Sequence, residues 1–164
     1  MTRVLERELR IPLPRTEVFA FFADAENLGR ITPPELGFRI LTPRPIDMHV
    51  GTLIDYRLRL YGVPVAWQTI ISVWEPPARF VDEQRRGPYR RWVHTHVFEE
   101  VGTETVMRDR VSYELPLPPV GEIAAPVVRA QLRRIFDYRR RATLHWLVGQ
   151  SGSISASRPR PAAR

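Results

Sequence analysis

The chain has 164 residues and a mass of 19.1 kDa, the size of one ordinary domain. Hydrophobic residues make up 43% and charged residues 26%, a balance that supports a buried core and excludes disorder or collagen-like order for the bulk. Cys is absent, which excludes disulfides, thiolate metal sites and cysteine nucleophiles, and the formal charge of +7 is carried by arginine alone, because there is no Lys.

Val4 to Ile11 reads as a first strand, ended by Pro12-Leu13-Pro14. The stretch Met1 to Arg10 alternates charge with Val4, Leu5 and Leu9 instead of building a signal peptide, and no apolar run is long enough to span a bilayer, so the expectation is a cytoplasmic protein. From Pro14, the residues Val18, Phe21, Phe22 and Ala25 fall at helical spacing, with Glu17 in the first turn. A second short helical turn is expected over Glu26 to Ile31. Leu36 to Leu41 reads as an edge strand bounded by Pro43 and Pro45.

From Thr52 onward the polarity alternates with period two, and the turns fix the register. A two-residue turn at Tyr61-Gly62 pairs Leu60 with Val63, Leu58 with Val65, Tyr56 with Trp67 and Ile54 with Thr69. A loop at Glu75-Pro76-Pro77-Ala78 then sets Val73 opposite Phe80, Ile71 opposite Asp82 and Thr69 opposite Gln84. A loop of odd length at Gly87-Pro88 keeps Trp92, His94, His96 and Phe98 on the side of Phe80. Gly102-Thr103 suits a type II′ turn, which pairs Phe98 with Met107, His96 with Asp109, His94 with Val111 and Trp92 with Tyr113. The opposite face collects Arg91, Glu99, Arg108, Arg110 and Glu114 and belongs in water, so His94, His96 and Asp109 point inward.

After Pro116 and Pro118-Pro119, a helix of about 28 residues carries Val120, Ile123, Ala124, Val127, Val128, Leu132, Ile135, Phe136 and Leu147 on one stripe; at 1.5 Å per residue it is about 40 Å long, with Pro126 expected to kink or delay it. One domain over 1–148 is expected, followed by a disordered Ser/Arg/Pro-rich tail over 149–164. Residues 1–118 hold 16 Arg against 16 acidic residues, whereas 119–164 hold nine Arg against Glu122 and Asp137. These arginines are not interleaved with exposed aromatics as a nucleic-acid surface requires, and neither a Rossmann nor a P-loop pattern occurs, so no nucleic-acid partner is expected.

Leu13-Pro14 with Val18-Phe19 and Phe22, Asp24-Ala25-Glu26-Asn27-Leu28 with Ile31-Thr32-Pro33-Pro34, Gly51-Thr52, Trp67, Trp74-Glu75-Pro76-Pro77, Phe80-Val81-Asp82, Gly87-Pro88-Tyr89, Trp92, His94-Thr95-His96 and Met107-Arg108-Asp109 together resemble the SRPBCC, or START-like, superfamily. The likeness is to its bacterial "cyclase/dehydrase" ligand-binding proteins. The resemblance implies an α+β helix-grip fold, a curved antiparallel sheet around a long C-terminal helix with two short helices after the first strand. It also implies a cavity for an apolar or aromatic, lipid- or polyketide-like molecule. It brings no metal and no cofactor.

On the register above, such a cavity would be lined by Tyr56, Leu58, Trp67, Ile71, Phe80, Trp92, Phe98, Met107, Val111 and Tyr113, with Ile135 and Phe136 from the helix. Asp82, Gln84, His94, His96, Asp109 and Tyr113 share this face, and their burial demands partners. They could orient the polar end of a ligand. They could catalyse enolisation, cyclisation or dehydration, with His96 oriented by Asp109 as acid or base and Tyr113 or His94 polarising a carbonyl. His94, His96 and Asp109 also have the spacing of a three-ligand metal set, and a buried His96–Asp109 pair could simply specify strand register. A separate reading is an interaction or lipid-transfer module in which Arg133, Arg134, Arg139, Arg140 and Arg141 dock transiently on an acidic partner or anionic membrane. An edge strand and an amphipathic helix are compatible with a monomer or a homodimer.

Overall fold

The computed structural model describes residues 1–117 and 119–154. The elements follow the order β1 (Arg3–Ile11), α1 (Arg15–Ala23), α2 (Asn27–Arg30), a 3-10 turn at Pro34–Leu36, β2 (Arg39–Ile40), β3 (Leu53–Leu60), β4 (Val63–Glu75), β5 (Arg79–Arg86), β6 (Arg91–Val101), β7 (Glu104–Glu114) and α3 (Val120–Ile154). Among the described residues every strand pair is antiparallel, and the strands form one seven-stranded sheet in the order β1-β7-β6-β5-β4-β3-β2. This curved sheet around a long C-terminal helix is the expected α+β helix-grip arrangement. Among the described residues no helix is long and apolar enough to cross a membrane.

The two hairpins with two-residue turns have the expected pairing throughout. Tyr61 and Gly62 both have positive φ, 53° and 79°, the signature of a type I′ turn, whereas only Gly102 is positive in the second hairpin. Tyr61 tolerates this conformation without glycine's freedom, and its hydroxyl donates to the Val127 carbonyl of α3 at 3.1 Å. The tip of the β3–β4 hairpin is thereby tied to the helix.

Four expectations require correction. Val73 does not face Phe80: a bulge between Ile71 and Val73 leaves Ser72 unpaired, so Val73 meets Val81 and Trp74 meets Phe80, while Ile71 still faces Asp82. Leu36 to Leu41 is not one strand, because Pro34–Leu36 turns as a 3-10 segment closed by Gly37 at φ 53°, and only Arg39–Ile40 pairs with β3. The buried line of α3 also differs from the expected stripe. It runs through Ala125, Val128, Leu132, Ile135, Phe136 and Ala142. At 100° per residue Ile123 lies about 200° from Ala125 and Val127 about 100° from Val128, and both are exposed. Pro126 sits inside the helix, which spans 35 residues and continues past the expected end to Ile154; the rest of the tail, from 155 onward, lies outside the described residues.

The core has two parts. Leu5, Leu58, Trp67, Trp92, Val111, Tyr113, Leu132 and Phe136 form one, between the sheet and the first half of α3. In the other, Phe19 and Phe22 of α1 pack on Phe98 with ring centroids 5.3 and 5.5 Å apart, beside Ile11, Phe80 and Met107. Between the two lies the site.

Candidate functional site: a cavity with a His–Asp cluster in its wall

A cavity of about 170 Å³, partly open to solvent, lies between β3–β6, the α1–α2 segment and α3. Eleven of the residues expected to line it do so: Tyr56, Leu58, Trp67, Ile71, Phe80, Asp82, Trp92, His94, His96, Ile135 and Phe136. Gln84, Phe98, Met107, Asp109, Val111 and Tyr113 are not in the wall. Gln84 turns to the β5–β6 loop, donating from Nε2 to the Tyr89 carbonyl at 2.7 Å and accepting from the Tyr89 N–H at 3.2 Å. Phe98 is capped by α1, and Val111 and Tyr113 are packed in the core near the first half of α3. Met107 and Asp109 face a smaller hollow beneath α3, next to Arg140 and Thr143. Alternation along a strand specifies a face, but which part of that face stays open depends on what the helices cover.

Phe38, Met48, Leu132 and Arg139 line the cavity without having been expected there. Leu132 was expected only as part of the apolar stripe. Arg139 had a signal in the sequence: it lies three and four residues after Phe136 and Ile135, on the same helix face. It therefore does not belong to a solvated basic face. Its guanidinium carbon stands 5.6 Å from the Phe22 ring, and its Nε is buried without a hydrogen-bond partner. Arg134 is paired with Glu35 at 2.6 Å, while Arg133, Arg140 and Arg141 are exposed.

Adjacent strands supply the polar cluster. β5 brings Asp82 opposite His94 of β6, and β6 brings His96 opposite Asp109 of β7. His96 Nε2 is 2.9 Å from Asp82 Oδ2 and its Nδ1 is 2.7 Å from Asp109 Oδ1; His94 Nε2 is 3.1 Å from the same Asp109 oxygen and its Nδ1 is 3.5 Å from Asp82 Oδ2. The His96 Nδ1 contact is close but off the N–H direction, so it is ionic and not a directed hydrogen bond. The imidazole centroids are 3.8 Å apart, and Phe80 stacks on His96 at 4.1 Å. Both rings are thus clamped between two carboxylates, one on the cavity side and one behind.

Burial is the largest influence on each of these groups, and it disfavours charge. For Asp109 it is outweighed by the charge of His96 close by and by the hydrogen bond from His94, which hold the carboxyl well below the usual range. Burial likewise opposes ionisation of Asp82, but the two histidines and Arg139 bring its pKa below the ordinary value. His96 is raised despite burial because Asp109 and Asp82 flank it, whereas His94 is lowered by burial and by the neighbouring His96. Burial also raises the Tyr56 phenol, which contacts Thr69 Oγ1 at 3.2 Å. The cluster is therefore anionic at its carboxylates, with His96 as the more basic imidazole.

A family model described as "Polyketide cyclase / dehydrase and lipid transport" matches residues 11–142, and the chain belongs to this family. A START superfamily protein from Mycobacterium smegmatis has the same fold, with TM-score 0.69 and 12% identity over 90% of this chain and 98% of the other. The Zhui aromatase/cyclase from Streptomyces sp. R1128 is similar at TM-score 0.73 and 14% identity, covering 90% and 94%. So is norcoclaurine synthase from Thalictrum flavum in complex with dopamine and hydroxybenzaldehyde, at TM-score 0.63 and 15% identity over 88% of each chain. No curated protein matches in sequence.

Proposed function

We propose that the protein binds one small, largely apolar or aromatic molecule in the cavity between the sheet and α3, with the polar cluster and Arg139 fixing its polar end. The observation that carries this reading is the composition of the wall. Leu58, Ile71, Trp67, Trp92, Phe80 and Phe136 offer apolar contact, while Asp82, His94, His96 and Arg139 meet on it. A cavity of about 150 Å³ accommodates a benzene-sized guest, so the scale here is one or two rings. An aromatic ligand accords with the aldehyde and amine held by the norcoclaurine synthase structure.

The test is calorimetric titration with 2-naphthol, beside native mass spectrometry and organic extraction of freshly purified protein. Saturable binding of one equivalent is expected, with Leu58→Phe weakening it by about tenfold, equivalent to about 1.4 kcal/mol. Absence of saturable binding together with no extracted molecule overturns the reading.

A second reading is acid–base catalysis of the cyclase or dehydratase kind, favoured by one observation: His96 lines the cavity while Asp109 holds it from behind. His94 is the cavity-lining group available to polarise a carbonyl, because Tyr113 lies outside the wall. His96→Gln that retains binding but loses turnover of an aromatic poly-β-ketone would support catalysis.

A further inference from the structure

We infer that Asp82, His94 and His96 form a mononuclear site for a divalent transition-metal ion, with Asp109 as the carboxylate behind both imidazoles. This goes beyond small-molecule binding and does not depend on it.

The argument is geometric. One donor atom from each of Asp82, His94 and His96 falls in a single group, all within 4.8 Å of one another. Asp82 Oδ2 is 2.9 Å from His96 Nε2 and 3.5 Å from His94 Nδ1. Around an ion with bonds of about 2.1 Å, neighbouring ligand atoms stand about 3 to 3.5 Å apart, so Asp82 stands at ligand spacing from both imidazoles. Two imidazoles and one carboxylate on one side of an ion leave its remaining positions free, and here those positions open into the cavity, whose wall includes all three residues.

The other nitrogens complete the pattern. His94 Nε2 and His96 Nδ1 both face one oxygen of Asp109, at 3.1 and 2.7 Å, and Asp109 lies outside the cavity wall. A carboxylate on the far nitrogen of a ligating histidine fixes the ring's tautomer and orientation and makes it a better donor. Asp109 does this for His94 through a hydrogen bond to Nε2, and the same oxygen stands in ionic contact with His96 Nδ1. Charge agrees as well: the two carboxylates balance one divalent ion held by two neutral imidazoles, with no need to charge two rings whose centroids are 3.8 Å apart, and Arg139, the one arginine in the same wall among the described residues, remains to meet an anionic guest. Donors of nitrogen and oxygen without thiolate suit iron(II), zinc(II) or cobalt(II) over softer ions.

The experiment strips the full-length protein with chelator and titrates it with Co(II), reading the visible absorption that reports coordination number, and then with Zn(II) in competition. One equivalent per chain is expected, displaced by Zn(II). Asp82→Ala should weaken binding by at least tenfold, and Asp109→Asn by about 10- to 100-fold while leaving the three ligands in place. Far-ultraviolet circular dichroism and proton NMR establish that the variants fold, and Asp82→Asn replaces Asp82→Ala where the latter does not. His49→Ala/His145→Ala removes the two remaining histidines, which lie outside the cluster and are exposed, and should bind as the natural sequence does. The inference is overturned if the natural chain takes up no stoichiometric Co(II), if uptake survives unchanged in folded Asp82 and Asp109 variants, or if it disappears in the His49/His145 variant.

Discussion

His96 Nδ1 and Asp109 Oδ1 lie 2.7 Å apart at directly paired positions of β6 and β7, with the histidine side chain 2% exposed and the aspartate side chain 11%. Removing Asp109 strips both buried imidazoles of one of their two carboxylate neighbours and leaves His94 Nε2 without its acceptor. Asp109→Ala is therefore expected to lower unfolding free energy by about 3–5 kcal/mol in a urea titration. Glu8→Ala, which breaks a contact to Arg108 between two half-exposed side chains, should cost no more than about 1 kcal/mol.

Tyr113 is buried and packs against Tyr89 and Trp92 with centroids 5.8 and 6.2 Å away, outside the cavity wall. Tyr113→Phe keeps the ring and should leave 2-naphthol affinity unchanged in calorimetry. Tyr113→Ala is expected to cost about 3–5 kcal/mol of stability, the range for truncating a large buried aromatic. A loss of affinity or turnover in the phenylalanine variant would return Tyr113 to the functional set.

Arg139 lines the cavity, and its Nε is buried without a hydrogen-bond partner. A hydrogen bond to a charged group is worth about 1.5–3 kcal/mol, so 2-naphthoate should bind more tightly than 2-naphthol to the natural sequence. Arg139→Met preserves much of the aliphatic stem and should remove that preference by at least tenfold. Equal effects on both ligands would show that the side chain acts only through packing.

Much of this architecture is legible in the sequence, and the places where it is not have physical causes. Tyr61-Gly62 and Gly102-Thr103 suit a two-residue turn each, and with that turn length the facing pairs of β3 with β4 and of β6 with β7 follow by counting. Ser72 carries no mark of the bulge, and the pairing of Val73 was unreadable for that reason. The inward direction of His94, His96 and Asp109 follows from the charged residues between them. Their division into two histidines facing the cavity and an aspartate behind does not, because it is set by where α3 crosses the strands. Arg139 was hidden by its neighbours Arg140 and Arg141, which make the stretch look solvated although its helical phase matches that of Phe136.

Gly87 is fixed by a close approach. A Cβ there would come within 2.4 Å of Gln84 Oε1, displacing the side chain that bonds both backbone groups of Tyr89. Gly87→Ala should cost about 1–2 kcal/mol, about the worth of those two hydrogen bonds. In a double-mutant cycle the penalty should largely vanish on the Gln84→Ala background, since the bonds are then already lost.

The hydrogen bond from Tyr61 to Val127 makes the cavity a closed ring of covalent and hydrogen-bonded structure: from α3 back through β7, along the sheet to the β3–β4 tip, and onto the helix again. A ring of fixed perimeter cannot enlarge its bore while every link holds. A guest that presses β3–β4 away from α3 strains this link, while Tyr61 keeps its positive φ because the two-residue turn between Leu60 and Val63 requires it. Resistance to widening at that end of the cavity then rests on a single hydrogen bond at the surface and not on the stiffness of the sheet as a whole.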